Sequence, residues 1–201
     1  MRAAVVTLAI SGCIACGSPS APSAPPVLTG TTTDPAGDAI ARPGVAVVPD
    51  LVGATLQATG GNLTITISFA PGTLSQSQTL WSVTLDTDEN PATGSPGSDS
   101  GGGDAALLGA DYVVYGVAPR GSTQAIVLRA TGPNQFVTVG TVAATFPAAD
   151  QVRAVVPLSL LGNDDGRLKF KVVCSQYLSD TTATGITDYM PDLGQPPGVV
   201  R

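Results

Sequence analysis

The clearest pattern along the chain is a strict alternation of apolar and polar side chains. Apolar residues stand at every second position from Leu63 to Phe69, with threonine or serine between them, and residues 80–86 repeat the pattern around Trp81. A period of two places successive side chains on opposite faces of a strand, so that one face is buried and the other meets solvent. Both segments are therefore predicted to be half-buried antiparallel strands, with Trp81 in the core.

Similar apolar segments recur at short intervals between glycines and prolines. With 24 glycines and 17 prolines, such interruptions are too frequent for long helices, and the β-branched runs between them favour strands. The predicted strands are residues 45–48, 51–58, 63–69, 80–86, 111–118, 124–130, 135–142, 151–156 and 168–176, and residues 157–162 are predicted to form a short helical turn. We therefore expect an all-β fold, an antiparallel β-sandwich of about eight to nine strands, with a closed barrel as the alternative.

The charged residues exclude several classes of function. The chain carries 15 acids against 9 bases, and the bases form no long patch, so nucleic acid is not an expected partner. Histidine is absent, which excludes Ser–His–Asp and Cys–His catalysis and histidine-rich zinc sites. Glu89 is the single glutamate, and a preponderance of aspartate is typical of turns and of short-armed oxygen ligands.

The first residues resemble a bacterial export signal. Arg2 precedes an apolar run that is too short to span a bilayer. The run ends in Ile10-Ser11-Gly12-Cys13, which resembles a lipobox: an aliphatic residue, two small residues and the cysteine that receives the lipid. Residues 1–12 are therefore predicted to be a lipoprotein signal peptide, and Cys13 is predicted to be the lipidated N-terminus of the mature chain.

A flexible tether is predicted to follow the signal peptide. Residues 13–31 are rich in proline and serine and too poor in apolar side chains to fold, so the β-sandwich domain is expected to span residues 32–201. Cys16 is a second candidate for lipidation, and an ordinary signal peptide cut near Ala21 is the other alternative. Cys174 lies in an apolar strand and is predicted to be a buried core residue, with a disulfide to Cys16 as the alternative.

A cluster of oxygen-bearing side chains follows the predicted strand at residues 80–86. Asp86, Asp88 and Asn90 stand at alternate positions, a spacing by which a tight loop turns successive oxygens toward one hard cation. The loop is not an EF-hand, because no helices flank it and the sharp-turn glycine and the closing glutamate are missing. Calcium also accepts oxygens from irregular sources. The distant candidates are Asp99, Asp104 and Asp111.

We therefore predict a Ca²⁺ site formed by Asp86, Asp88, Asn90 and Asp111. The alternative is that the aspartates and the asparagine hydrogen-bond the backbone of their own turn without an ion. Both interpretations remain open at this stage.

The chain gives little support for catalytic chemistry. The acids near residues 86–111 lie among small residues, without the aromatic wall that would raise the pKa of one carboxyl group for glycoside hydrolysis. The chain has no GxSxG motif, and the glycines at 101–103 have no P-loop lysine nearby. Aromatic platforms for sugars are also scarce, since Tyr112 and Tyr115 lie on opposite faces of one predicted strand. We expect a protein that is not an enzyme.

Five short motifs suggest a relationship to known modules: Asp34-Pro35-x-Gly37-Asp38, residues 85–94, residues 109–112, residues 155–162 and Asp188-x-x-Pro191-Asp192. Together they resemble bacterial extracellular β-sandwich modules of the DOMON-type and family 9 carbohydrate-binding kind. The resemblance implies a sandwich fold and a structural calcium ion. It does not supply the two aromatic residues that clamp a sugar. Nor does it supply axial ligands for haem, because Met190 alone remains after processing and histidine is absent.

These observations together predict a cell-envelope lipoprotein, exported and held at a membrane by its lipid, with a non-catalytic binding or structural role. A glycan or an envelope protein is the expected partner. The first alternative is a carbohydrate-binding module, which should expose two or more aromatic rings on one sheet face or loop rim. The second is a hydrolase or a hydrolase accessory domain, which should gather acids in a concave pocket beside a hydrophobic wall.

Overall fold

The computed structural model describes residues 26–45, 47–75, 78–96, 108–117, 123–179, 182–183 and 185–201. Within these ranges, the structure does not describe the side chains of residues 117, 177–179, 182 and 183. The predicted signal peptide, Cys13, Cys16, Asp99 and Asp104 lie outside the described residues, as does most of the predicted tether.

Twelve strands and one short 3-10 helix make up the described secondary structure. The strands are β1 (Leu28–Thr33), β2 (Leu51–Thr59), β3 (Asn62–Phe69), β4 (Thr79–Asp86), β5 (Tyr112–Val117), β6 (Gln124–Gly132), β7 (Gln135–Thr145), β8 (Gln151–Pro157), β9 (Leu168–Ser179), β10 (Thr182–Ala183), β11 (Asp188–Met190) and β12 (Gly198–Val200). The 3-10 helix is Leu158–Leu161, in the segment where a helical turn is predicted. No described helix has the length and apolar character needed to cross a membrane.

The strands follow one hydrogen-bonded path that nearly closes on itself. Its order is β1-β2-β3-β8-β7-β6-β5-β4-β9-β10, and β11 and β12 also pair with β9. Strand β7 pairs with β6 over most of its length and with β8 only at Ala144 and Thr145. The two ends of the path approach each other where β1 contacts β12, which pairs with β9. Next to this contact, Thr29 and Arg201 exchange backbone hydrogen bonds of 2.9 and 3.4 Å. The predicted all-β antiparallel class is confirmed, whereas the two-sheet sandwich stays a prediction.

One hydrophobic core fills the interior of this path. The alternating residues of β3 and β4 all point into it, and Trp81 is 1% exposed, as its position predicts. The Trp81 ring lies directly over Gly116 of β5, where a Cβ atom would collide with the indole. Any other residue at position 116 would displace the largest side chain of the core. Cys174 is a buried free thiol, as predicted for a core residue.

The ends of the domain differ from the sequence prediction. Residues 28–31 belong to β1, which pairs with β2 from Leu28 to Thr33, so regular structure begins before the expected start at residue 32. The single buried residue of β1 is Gly30, which packs against the backbone of Val199, and hydropathy cannot reveal a strand held in this way. The described residues at 45–48 form no strand, and the three-residue strands β11 and β12 lie after residue 176, where no strand is predicted.

Candidate metal centre

The predicted metal site lies where β4 leaves the sheet. Strand β4 ends at Asp86, which pairs with Lys169 of β9, and Asp111 lies directly before β5. Ser95 and Ala110 exchange two backbone hydrogen bonds of 2.7 Å and close the base of the loop between the two strands. Gly109 adopts a φ of 68°, and a Cβ atom there would lie 2.7 Å from the carbonyl oxygen of Asn90. This close approach holds the turn after Asp86 against Asp111.

Three of the four predicted ligands come together here, and we call Asp86, Asp88 and Asp111 the loop cluster. Each offers a carboxylate oxygen, and these oxygens lie within 4.8 Å of one another. Two oxygens bound to one calcium ion at 2.3–2.6 Å are at most about 5.2 Å apart, so the spacing is compatible with a shared ion. Asp86 is fully buried, Asp111 half-buried and Asp88 exposed.

Hydrogen bonds from the loop itself already satisfy much of this cluster. The Oδ2 atom of Asp111 accepts from the backbone nitrogen and the hydroxyl of Thr87, both at 2.9 Å. The hydroxyl of Thr93 donates to the carboxylate of Asp88 at 2.8–2.9 Å. Burial alone would raise the pKa of Asp88, but the hydrogen bonds from Thr93 and Asn90 outweigh it and lower that pKa. These contacts are the ones that the turn-only alternative predicts.

Asn90 reaches the cluster through its backbone. Its N–H donates to Oδ1 of Asp86 at 3.1 Å and to Oδ1 of Asp88 at 2.9 Å. Its side-chain oxygen accepts from the backbone nitrogen of Ala92 at 3.1 Å, and this bond stabilises its own turn. A ligand role for the Asn90 side chain therefore stays a prediction that this geometry does not assist.

The second oxygen of Asp86 is the unusual atom of the loop cluster. Its Oδ2 is buried and accepts no hydrogen bond, although Nζ of Lys169 lies 3.7 Å away. That ammonium group donates instead to the carbonyl oxygen of Glu89 at 2.6 Å. Burial raises the pKa of Asp86 to about 6, and the positive charge of Lys169 offsets only part of the effect. The loop cluster therefore keeps a buried carboxylate oxygen whose negative charge is incompletely compensated.

Basic side chains fix the loop from outside the cluster. Glu89 has a φ of 58°, a conformation that non-glycine residues seldom adopt. Lys169 donates to its carbonyl oxygen, and the guanidinium group of Arg201 pairs with its carboxylate through its two terminal nitrogens, one of them at 2.8 Å. The turn after Asp86 is thus held by β9 and by the residue after β12.

A second acidic group was not predicted, and we call it the terminal cluster. It contains five aspartates: Asp34, Asp38, Asp50, Asp188 and Asp192. Four of these residues belong to the motifs that carry the resemblance described above, but more than half of the chain separates the two ends. The sequence signal is thus a pair of aspartate-rich motifs, and only the strand pairing shows that they meet.

The aromatic side chains give little support for a sugar-binding face. Trp81, Tyr112 and Tyr189 are buried in the domain, and Tyr115 is half-buried. Among the side chains that the structure describes, no aromatic ring is exposed, and Tyr177 lies outside that set. The described part of the domain therefore offers no pair of stacking platforms.

No protein-family model matches the chain, and no curated protein is significantly similar to it. The resemblance to DOMON-type and family 9 carbohydrate-binding modules therefore rests on the five short motifs alone. The two clusters of carboxylates are the candidate sites of the described residues. Both present oxygen donors, which suit a hard cation and not a soft metal.

Proposed function

We propose that this chain is an exported cell-envelope lipoprotein, held at a membrane by lipid on Cys13, with a non-catalytic binding or structural role. In this proposal the domain is a β-sandwich, flattened from the nearly closed path of strands, and calcium at the loop cluster stabilises it. The lipobox at residues 10–13 and the proline-rich stretch that precedes β1 support the anchor. A glycan or an envelope protein is the proposed partner.

The observation that carries the calcium part of the proposal is the buried Oδ2 of Asp86. A buried carboxylate oxygen without a hydrogen bond is costly, and Asp88 and Asp111 add negative charge beside it. A dication bound by the three carboxylates would supply the missing partner and join β4 to β5 through the loop. Lys169 already offsets part of the charge, so the loop cluster should bind calcium weakly.

A non-catalytic role is supported by what surrounds the carboxylates. Asp88 and Asp111 accept hydrogen bonds from their own loop, and these bonds hold the side chains in place for a structural task. No histidine is available as a base anywhere in the chain. A carbohydrate-binding module is the second candidate, and the lack of an exposed ring among the described side chains makes an envelope protein the preferred partner over a glycan.

The calcium part is tested by isothermal titration of the chelator-stripped full chain with CaCl₂. Asp88→Asn should abolish a weak binding event, because the exposed Asp88 contributes a ligand without supporting the core. Asp165→Asn is the matched control, since Asp165 is an exposed aspartate that also accepts a backbone hydrogen bond. If Asp88→Asn binds calcium with the number and affinity of the control, the loop cluster is a hydrogen-bonded turn only.

The anchor is tested by intact-mass measurement after expression in a bacterial host. Cys13→Ser should lose the mass of the lipid, whereas Cys16→Ser should keep it. A Cys13→Ser protein that retains the lipid mass would place the modification at Cys16. A wild-type protein without any lipid mass would overturn the anchor altogether.

A further inference from the structure

The terminal cluster contacts the middle of β9, whereas the loop cluster lies beside the start of that strand. Asp188 pairs with Cys174 of β9, whereas Asp86 pairs with Lys169 of the same strand. Five residues of extended strand separate these positions, about 17 Å at 3.4 Å per residue. The two clusters therefore cannot share an ion, and whatever the terminal cluster binds is independent of the proposed loop site.

The five aspartates of the terminal cluster form two overlapping groups. Asp38, Asp50 and Asp188 offer oxygens within 4.8 Å of one another, and so do Asp34, Asp38 and Asp192. Asp38 belongs to both groups and is exposed, while the others reach it from the end of β1, the start of β2 and the region of β11. The spacing again permits the oxygens of each group to bind one calcium ion.

Two members of the cluster are deeply buried, and one of them has an oxygen without a partner. Asp50 is 6% exposed and Asp188 is 4% exposed. Asp188 accepts hydrogen bonds from the backbone nitrogens of Leu51 at 2.6 Å and Tyr189 at 2.8 Å. Asp50 accepts one at Oδ2 from Gly37 at 2.8 Å, but its Oδ1 is buried and accepts none. Such an atom in a native fold indicates a missing partner.

No described positive charge compensates these acids. Among the described residues, no lysine or arginine forms an ion pair with any of the five aspartates, and Arg42 donates instead to the carbonyl oxygen of Ile186. Oδ2 of Asp34 is a second buried oxygen without a hydrogen bond. The cluster is thus destabilised by its own charge when no cation is bound.

We propose that the terminal cluster is a calcium site centred on Asp38, with ligands from Asp34, Asp50, Asp188 and Asp192. Calcium is favoured over magnesium because several carboxylates from irregular segments can supply its six to eight oxygens, whereas magnesium requires near-octahedral geometry. The ion joins the segment between β1 and β2 to the region of β11. It binds more tightly here than at the loop cluster, because no described lysine or arginine pairs with these aspartates as Lys169 does with Asp86.

The test is calcium titration of the full chain after removal of bound metal with EDTA. Wild-type protein should show a tighter binding event that Asp38→Asn weakens at least tenfold, whereas Asp165→Asn should leave it unchanged. Asp192→Asn is the second variant, because both Asp38 and Asp192 are exposed and their replacement should not disturb folding. Far-UV circular dichroism of each variant in EDTA verifies that the fold is retained.

The outcomes separate this site from the loop site. Asp88→Asn should keep the tighter event, so loss of the loop site alone leaves this inference intact. At calcium 100-fold above the dissociation constant, the thermal midpoint of wild type should rise by about 5–10 °C, and Asp38→Asn should lose most of that rise. The inference is overturned if Asp38→Asn and Asp192→Asn both bind calcium as tightly and in the same number as wild type. It is equally overturned if wild type binds none.

Discussion

The loop cluster draws its three aspartates from the end of β4 and the loop that leads to β5, and it faces Lys169. The terminal cluster draws five from both ends of the domain and has no ion pair among the described residues. In the loop cluster, Thr87 and Thr93 add hydroxyl donors to the backbone donors. The terminal cluster receives backbone hydrogen bonds at Asp50 and Asp188. Among the described residues, the charge of the first cluster is therefore largely compensated, and that of the second is not.

This difference indicates how a fold can hold acidic groups together. A turn that follows a strand brings its own N–H groups to its side chains, so local carboxylates are satisfied by the segment that carries them. Carboxylates from distant segments receive fewer such donors, and their mutual repulsion has to be offset by a cation. We expect calcium to contribute mainly to the docking of the chain ends and only slightly to the order of the loop.

Removal of Lys169 should leave the loop cluster without a compensating charge, like the terminal cluster, and should have the largest effect on the free energy of unfolding. In EDTA, Lys169→Met should lower the free energy of unfolding by about 3 kcal/mol, because Asp86 would be left as a buried charge without a partner. Arg167→Met is the control, since Arg167 makes an ion pair with the exposed Asp165 and its loss should cost under about 1 kcal/mol.

Urea denaturation in EDTA and in calcium measures this effect. Calcium should restore a larger part of the lost free energy of unfolding in Lys169→Met than in the control. Without Lys169, the loop cluster would depend on the ion as the terminal cluster does. Equal losses in the two variants would mean that Lys169 does not compensate Asp86.

The pH dependence of stability in EDTA should follow the terminal cluster. Burial and neighbouring acids raise the pKa of Asp34 to about 7, and burial raises that of Asp188 to about 6, both from 3.8. The folded protein thus binds these protons more tightly than the unfolded chain does. The stability that these bound protons contribute is fully present below pH 3.8 and is lost as the pH rises through the pKa values of the folded protein.

Thermal midpoints between pH 4 and pH 8 measure this loss. The midpoint in EDTA should fall with rising pH, and Asp34→Asn should flatten the part of the curve between about pH 6 and pH 7. Saturating calcium should remove most of the slope, since the ion replaces the protons. A wild-type slope in Asp34→Asn would contradict the assignment of this dependence to the terminal cluster, and Asp165→Asn serves as the charge control.

The smallest effect on the free energy of unfolding is expected from the removal of a hydroxyl group in the loop. Thr93→Val removes the donor to Asp88 and to the carbonyl oxygen of Asn90, so it should cost about 1 kcal/mol in EDTA. Thr138→Val makes the same change at an exposed position of β7 and should be neutral. If Thr93→Val is also neutral by urea denaturation, internal hydrogen bonds do not compensate the loop cluster.

The sequence predicted those parts of the molecule in which one local pattern determines the structure. The alternation in β3 and β4 predicted two strands and a buried Trp81, and the spacing from Asp86 to Asp88 predicted that the two carboxylates come close together. Strand β1 was placed partly in the tether, because its one buried residue is Gly30 and backbone pairing is not visible in hydropathy.

The terminal cluster was missed for a different reason. Leu51 and Asp188, which share a hydrogen bond, are 137 positions apart, and no local rule relates two such residues. Nor does any local pattern place a lysine beside Asp86. Pairing of β4 with β9 places Lys169 opposite Asp86, and this register follows from the packing of the whole sheet.

The thermal midpoint of Asp50→Asn, measured beside wild type in EDTA and in saturating calcium, tests the role of the terminal cluster most directly. Asparagine keeps an acceptor for the backbone nitrogen of Gly37 but removes the uncompensated buried charge. The variant should therefore melt higher than wild type in EDTA and lower than wild type in calcium. If Asp50→Asn instead melts lower by a similar amount in both conditions, the aspartate is a hydrogen-bonded structural residue and the terminal cluster holds no ion.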